Sequence, residues 1–169
     1  LAVVSAANLN SPDQTVISGA AYAVQHAANL CKEAGAKRTV MLPVSAPFHC
    51  ALMMPAQLQL AADLNHLTFN DPAIPIAANV TASLVTTGAA AREALIAQVT
   101  GPVRWVECIQ LLIGEGATHF IEVGPSKVLT ALMRQINRGQ TALNVEDSAS
   151  LEKTLNALNS IEQPAVGPK

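Results

Sequence analysis

The sequence predicts an α/β fold, and three observations carry that expectation. Between residues 45 and 160, stretches with helical apolar spacing alternate with short apolar runs, the pattern of a mainly parallel sheet with helices on its faces. Half of the 169 residues are apolar while aromatics are only 3%; such an alanine-rich composition suits helices packed closely on a sheet, and the length is enough for one sizeable core. The strongest punctuation, Asn70-Asp71-Pro72, Gly101-Pro102 and Gly124-Pro125, falls between these stretches. The strands are too few for a complete doubly wound core.

Taken in order, residues 3–9 are apolar and partly alternating, and residues 15–18 are β-branched and short. Ser11-Pro12-Asp13-Gln14 between them has proline at the second turn position, so a hairpin ending at Gly19 is expected. Residues 20–34 carry a broad apolar helical face closed by Gly35, and residues 39–44 read as a buried strand. A helix follows over 52–67, with Pro55 tolerable only in its first turn. A buried strand is expected over 74–80, and helices over 90–99 and 103–115. A strand over 118–123 leads through Gly124-Pro125-Ser126 into a helix carrying Val128, Leu129, Leu132, Met133 and Ile136. Residues 143–145 suit a short edge strand, and Ser148 suits the cap of a last helix. Residues 161–169, with two prolines and a glycine, read as a disordered tail.

The charge balance excludes some functions. Ten Lys and Arg against twelve Asp and Glu give a net charge of −2, which offers a polyanion such as nucleic acid no attraction. No apolar run approaches membrane-spanning length. Cys31, Cys50 and Cys108 form an odd set without spacing pattern, as expected in a reducing compartment and a cytoplasmic protein. None of His26, His49, His66 and His119 has a carboxylate or cysteine at metal-ligand spacing, so no metal site is expected.

The stretch Leu42-Pro43-Val44-Ser45-Ala46-Pro47-Phe48-His49-Cys50 concentrates the chemical signal. Two prolines keep the chain from becoming helical before His49. The imidazole therefore stands on a stiff loop between a strand and a helix, where α/β proteins place catalytic groups. On the residues alone, His49 is either a hydrogen-bonded core histidine, the commoner case, or a general base. Cys50 beside it reads as structural, because neighbouring side chains usually point apart.

Five stretches, in order, resemble the malonyl-CoA:acyl carrier protein transacylase family: NLNSPDQTVISG (8–19), GAKRTVMLPV (35–44), VSAPFHCALM (44–53), QVTGPVRW (98–105) and FIEVGPSKVLTALMRQI (120–136). The resemblance implies part of an α/β-hydrolase-like acyltransferase core over 45–160, and over 1–44 a partial ferredoxin-like (ββαβ) small subdomain lacking a front strand and helix. That would leave a sheet edge open. It implies transfer of a malonyl group from malonyl-CoA to the thiol of acyl carrier protein in fatty-acid synthesis, through an acyl-serine. Malonyl-CoA is a substrate, and no cofactor is implied.

The family's nucleophile elbow has the form G-x-S-x-G, and this chain contains no such run. With Leu1 rather than methionine at its start, the chain reads as the C-terminal portion of a longer enzyme, inactive without its upstream segment. His49 matches the family's catalytic histidine, and Gln98 the residue whose main-chain carbonyl holds that imidazole. If the backbone is the acceptor, the Gln98 side chain matters less than the loop set by Gly101-Pro102. Asn8 and Asn10 lie in a cleft-facing stretch, where they either contact substrate or organise the hairpin turn. Phe48, directly before the histidine, would crowd an α-methyl group and so favour malonyl. An acidic carrier protein would meet basic residues, with Lys32, Lys37, Arg38, Lys127, Arg134 and Arg138 as candidates. Two rival readings remain: an acyltransferase-domain fragment of a polyketide synthase, and a non-catalytic carrier-protein-binding fragment.

Overall fold

A computed structural model describes residues 2–162. The chain divides into two compact units, 1–112 and 113–169, and each is described by itself.

The first unit opens with the expected hairpin. Strand β1 (Val4–Ser11) pairs antiparallel with β2 (Gln14–Gly19), and Ser11 faces Gln14 across the proline turn. The register skips Ala7 and Asn10 on β1. Ala7 is 1% exposed, and its carbonyl accepts from the Val103 N–H at 2.7 Å, while the Leu9 N–H donates to the Val103 carbonyl at 2.9 Å. An irregular strand thus bonds on both edges, with β2 on one and residue 103 on the other. Helix α1 (Ala21–Glu33) follows as expected, and Lys32 in its last turn complements the helix dipole.

Residues 39–44 depart from the sequence expectation. They form no strand among the described residues, and Val40, Met41, Leu42 and Val44 are all at least half exposed. A β-strand exists only where its N–H and C=O groups find a ladder, and these residues face none. The last element of the expected ββαβ is therefore irregular chain.

A 3-10 turn (Ala51–Met53) leads into α2 (Met54–Asn65), with Pro55 in the first turn, where its missing N–H costs no intrahelical bond. The strand expected over 74–80 shortens to β3 (Ile76–Ala78), paired antiparallel with the unforeseen β4 (Ser83–Val85). Ile74 is 78% exposed, so the apolar run extends beyond what is buried. Thr87 caps α3 (Gly88–Gln98) by accepting from the Ala90 N–H, and the Gly88 N–H donates to Asp71 Oδ1 at 2.8 Å. Helix α4 (Trp105–Gly114) buries Cys108 and Ile109.

The second unit is β5 (His119–Val123), α5 (Val128–Ile136), β6 (Thr141–Val145) and α6 (Ser148–Glu162), with β5 and β6 parallel. Among its described residues, Leu132 and Met133 are the buried apolar ones. A mainly parallel sheet was expected over 45–160; among the described residues only β5–β6 is parallel, and β3–β4 is an antiparallel pair. Helix α6 is capped by Asp147 rather than Ser148: Asp147 Oδ1 accepts from the Ser150 N–H at 2.8 Å. Residues 161 and 162, expected in the tail, are helical, and 163–169 lie outside the described residues. No described helix is long and apolar enough to cross a membrane.

Candidate active site

Two proline-centred turns deliver the chain to His49. The Val44 N–H donates to the Leu42 carbonyl at 2.8 Å around Pro43, and the Phe48 N–H to the Ala46 carbonyl at 3.0 Å around Pro47. Three-residue turns of this kind use a φ close to the one proline already holds. His49 then takes φ 60°, the left-handed region, which costs a non-glycine residue on the order of 1 kcal/mol. Cys50 is 1% exposed and its thiol donates to the Pro47 carbonyl at 3.1 Å. That bond ties the loop back onto itself.

The half-buried imidazole meets Gln98, at the end of α3. His49 Nδ1 lies 3.0 Å from the Gln98 main-chain oxygen. A carbonyl only accepts, so Nδ1 carries the hydrogen in this bond and Nε2 keeps a lone pair, the form a general base needs. Among the described residues no hydrogen bond engages Nε2.

The loop over 98–103 is tied down on several sides. Gln98 Nε2 donates to the carbonyls of Gly101 (2.9 Å) and Pro102 (3.1 Å). The side chain, expected to matter less than the loop, is thus what folds the loop back on its own helix. Thr100 Oγ1 donates to Gln57 Oε1 on α2. Gly101 allows a close approach: a Cβ there would stand 2.5 Å from Val80 Cγ2 and 2.9 Å from the Ala97 carbonyl oxygen. Val103 closes the loop by its two backbone bonds to β1. Just beyond, Arg104 donates to Glu107 and, at 2.8 Å, to the Thr81 carbonyl. The hydrogen bond between them raises the Arg104 pKa and lowers that of Glu107. Burial raises the Cys108 thiol.

The remaining candidates divide. Asn8 flanks the bonds by which Val103 bridges to β1, so it joins the same loop through the backbone. Asn10 Nδ2 donates to Gln14 Oε1 at 2.9 Å across the hairpin turn, and so organises that turn. Phe48 is 51% exposed. The structure therefore brings His49 and Gln98 into direct contact and ties Asn8 to their loop. Gln57 and Thr100 are additions that the sequence did not signal: one is a polar residue in a helical run, the other a threonine in a turn, and only their proximity in space connects them.

In the second unit, Gly124-Pro125-Ser126 is a structural turn. Its N–H groups and those of the first turn of α5 meet carboxylates: Ser126 donates to Glu146 Oε2 at 3.2 Å, Leu129 and Thr130 to Glu122 at 3.0 and 2.7 Å. Burial pushes the Glu122 carboxyl up, but these donors outweigh it and hold the pKa below its ordinary value. Lys127 pairs with Glu146 at 2.8 Å. Arg134 and Arg138, with Gln135 and Gln140, line an open cleft of about 440 Å³. The three cysteines are free thiols. Among the described residues no group of three His, Cys, Asp or Glu is placed to hold a metal ion.

No protein-family model matches the chain. It is 45% identical over 153 residues to the malonyl CoA-acyl carrier protein transacylase of Salmonella typhimurium, a match covering 90% of this chain and 50% of that protein. The acyl-carrier-protein S-malonyltransferase structure from Burkholderia pseudomallei superposes with TM-score 0.89 at 43% identity, covering 92% of this chain and 50% of that one. The structure of a type II PKS acyl-carrier protein in complex with its malonyl-transacylase gives TM-score 0.89 at 42% identity, again over 92% and 50%. The family resemblance visible in the sequence is borne out over nine-tenths of the chain, which spans about half the length of the curated relatives it matches.

Proposed function

We propose, for a chain homologous over most of its length to malonyl CoA-acyl carrier protein transacylases, that it supplies the general base of a malonyl transfer from malonyl-CoA to an acyl carrier protein thiol in fatty-acid synthesis. One observation carries this reading: His49 Nδ1 is 3.0 Å from the Gln98 main-chain oxygen. That bond holds the tautomer in which Nε2 accepts a proton.

In the proposed reaction a serine, contributed from outside these 169 residues, loses its proton to His49 Nε2 as it attacks the malonyl thioester carbonyl. The imidazolium returns the proton to the departing coenzyme A thiolate. In the second half, Nε2 takes the proton of the carrier-protein thiol, which attacks the acyl-serine, and the serine oxygen is reprotonated as it leaves. The Gln98 carbonyl supports the positive charge that forms on the ring; unlike a carboxylate it adds no net charge. Phe48 and Asn8 line the acyl subsite in this reading. Residues 1–44 are then part of a ferredoxin-like subdomain and 45–160 part of an α/β-hydrolase-like core. The proposed partners are acyl carrier protein and the upstream segment of the same enzyme; no cofactor takes part, and the reaction belongs in the cytoplasm.

The test is acyl labelling by malonyl-CoA, followed by intact mass, on this chain with and without a separately expressed upstream segment. An adduct on the upstream segment only when both are present is the expected result. An adduct on this chain alone would refute the proposed division of labour, with Cys50 the first nucleophile to examine. No adduct in either case would favour a carrier-protein-binding fragment. A second acceptor is favoured by the likeness to a transacylase held by a type II polyketide carrier protein. Parallel assays with fatty-acid-type and polyketide-type carrier proteins distinguish the two.

A further inference from the structure

Two hydrogen bonds join the same two segments. His49, just ahead of α2, bonds the Gln98 carbonyl at the end of α3; eight residues on, Gln57 on α2 accepts from Thr100, two residues beyond Gln98. A single bond between an imidazole and a carbonyl locates a point but leaves the carbonyl free to swing about the ring. A second rung, spaced along both segments, removes that freedom. The other restraints on the loop act elsewhere. The Gln98 side chain bonds within the loop, and Val103 ties it to β1. Among the described residues, the Gln57–Thr100 rung is the side-chain hydrogen bond that ties it to α2, the helix that follows His49. Both residues are half-buried, so each would lose a partner that water replaces only in part.

We infer that Gln57 and Thr100 are positioning residues for His49: their hydrogen bond holds the Gln98 carbonyl where it selects the Nδ1–H tautomer of the imidazole. Neither touches the reacting atoms. Their meaning for catalysis rests on the transacylase reading; their effect on the ring does not. Thr100→Val keeps the shape of the side chain and removes the donor. Gln57→Leu removes the acceptor from the other side of the rung. Thr100→Ser restores a hydroxyl.

The experiment is ¹⁵N NMR of the 169-residue chain with labelled histidine, above the titration of the rings, with the His49 signals assigned by their loss in His49→Gln. The wild-type chain and Thr100→Ser should show Nδ1 protonated and Nε2 unprotonated. In Thr100→Val and in Gln57→Leu both His49 nitrogens should shift toward the average of the two tautomers. His119 is the internal control: its Nδ1 sits 2.9 Å from Thr118 Oγ1, and its signals should stay in place unless the whole chain has loosened. Should Thr100→Val fail to fold, Gln57→Leu reads the same rung. A wild-type ring protonated on Nε2, or wild-type His49 shifts in whichever of the two variants fold, would overturn the inference. Because acyl transfer is not the readout, a chain that shows the coupling but supports no malonyl transfer loses the transacylase reading and keeps the positioning pair.

Discussion

His49 and Ser126 have the same backbone anomaly. Both are non-glycine residues in the left-handed region, at φ 60° and 85°, and each stands a few residues before a helix. Their surroundings differ in what is left over. Around Ser126 the polar groups are matched: Glu146 takes the Ser126 N–H and pairs with Lys127, and Glu122 takes two N–H groups at the start of α5. Around His49 one ring nitrogen is held by Gln98, and the other has no bond among the described residues. Backbone strain is therefore not the mark of a site in this protein. The mark is a polar atom oriented by one bond and left open at its other end.

The largest effect should come from the open nitrogen. With the upstream part restored, His49→Ala should lower malonyl transfer by at least about a hundredfold, measured as initial rate at saturating malonyl-CoA. Near-normal rates would remove His49 from the role of base. Next comes the loop that holds the ring's other nitrogen. Gly101→Ala places a Cβ 2.5 Å from Val80 Cγ2 and 2.9 Å from the Ala97 carbonyl oxygen, so it should destabilise the chain by about 1–3 kcal/mol. The urea midpoint reads this, and an unchanged midpoint would mean that the loop is more yielding than its contacts suggest.

The matched turn should respond more mildly. Glu122→Ala removes the acceptor for two α5 N–H groups and should cost about 1 kcal/mol of stability. The sign with pH follows from the lowered pKa of Glu122. Its contribution is complete above the ordinary glutamate range and is lost as pH falls through the lowered native value. Wild type should therefore lose more stability than Glu122→Ala on acidification; parallel curves would dissociate Glu122 from the helix start. The smallest change is Ser126→Gly, which relieves the left-handed strain at the expense of a freer unfolded chain. It should shift stability by less than about 1 kcal/mol in either direction, while His49→Gly, which relieves the same strain, should still abolish transfer.

The sequence made much of this legible because much of it is local. The proline turn between β1 and β2, Pro55 in the first turn of α2, and the apolar spacing of α5 each act within a few residues, and all appear where expected. The prolines around His49 likewise announced a stiff loop. Residues 39–44 were misjudged because apolar β-branched composition states only that a strand is possible; the ladder must come from elsewhere. The shortened β3 and its partner β4 repeat that lesson, since the pairing depends on a turn without proline or glycine at its centre. Ser148 has good capping chemistry, but its neighbour Asp147 takes the role, because the cap is decided by which side chain reaches the Ser150 N–H.

By itself, then, the sequence determined the helices, the hairpin, the histidine loop and the family resemblance, since each rests on neighbours in the chain or on runs of matched residues. Only the tertiary structure decided which strands have partners, that the Gln98 side chain folds its own loop, and that Gln57 and Thr100 meet. Hydrogen bonds between segments far apart in the chain depend on how those segments are brought together in space, and residue order alone does not encode that distance.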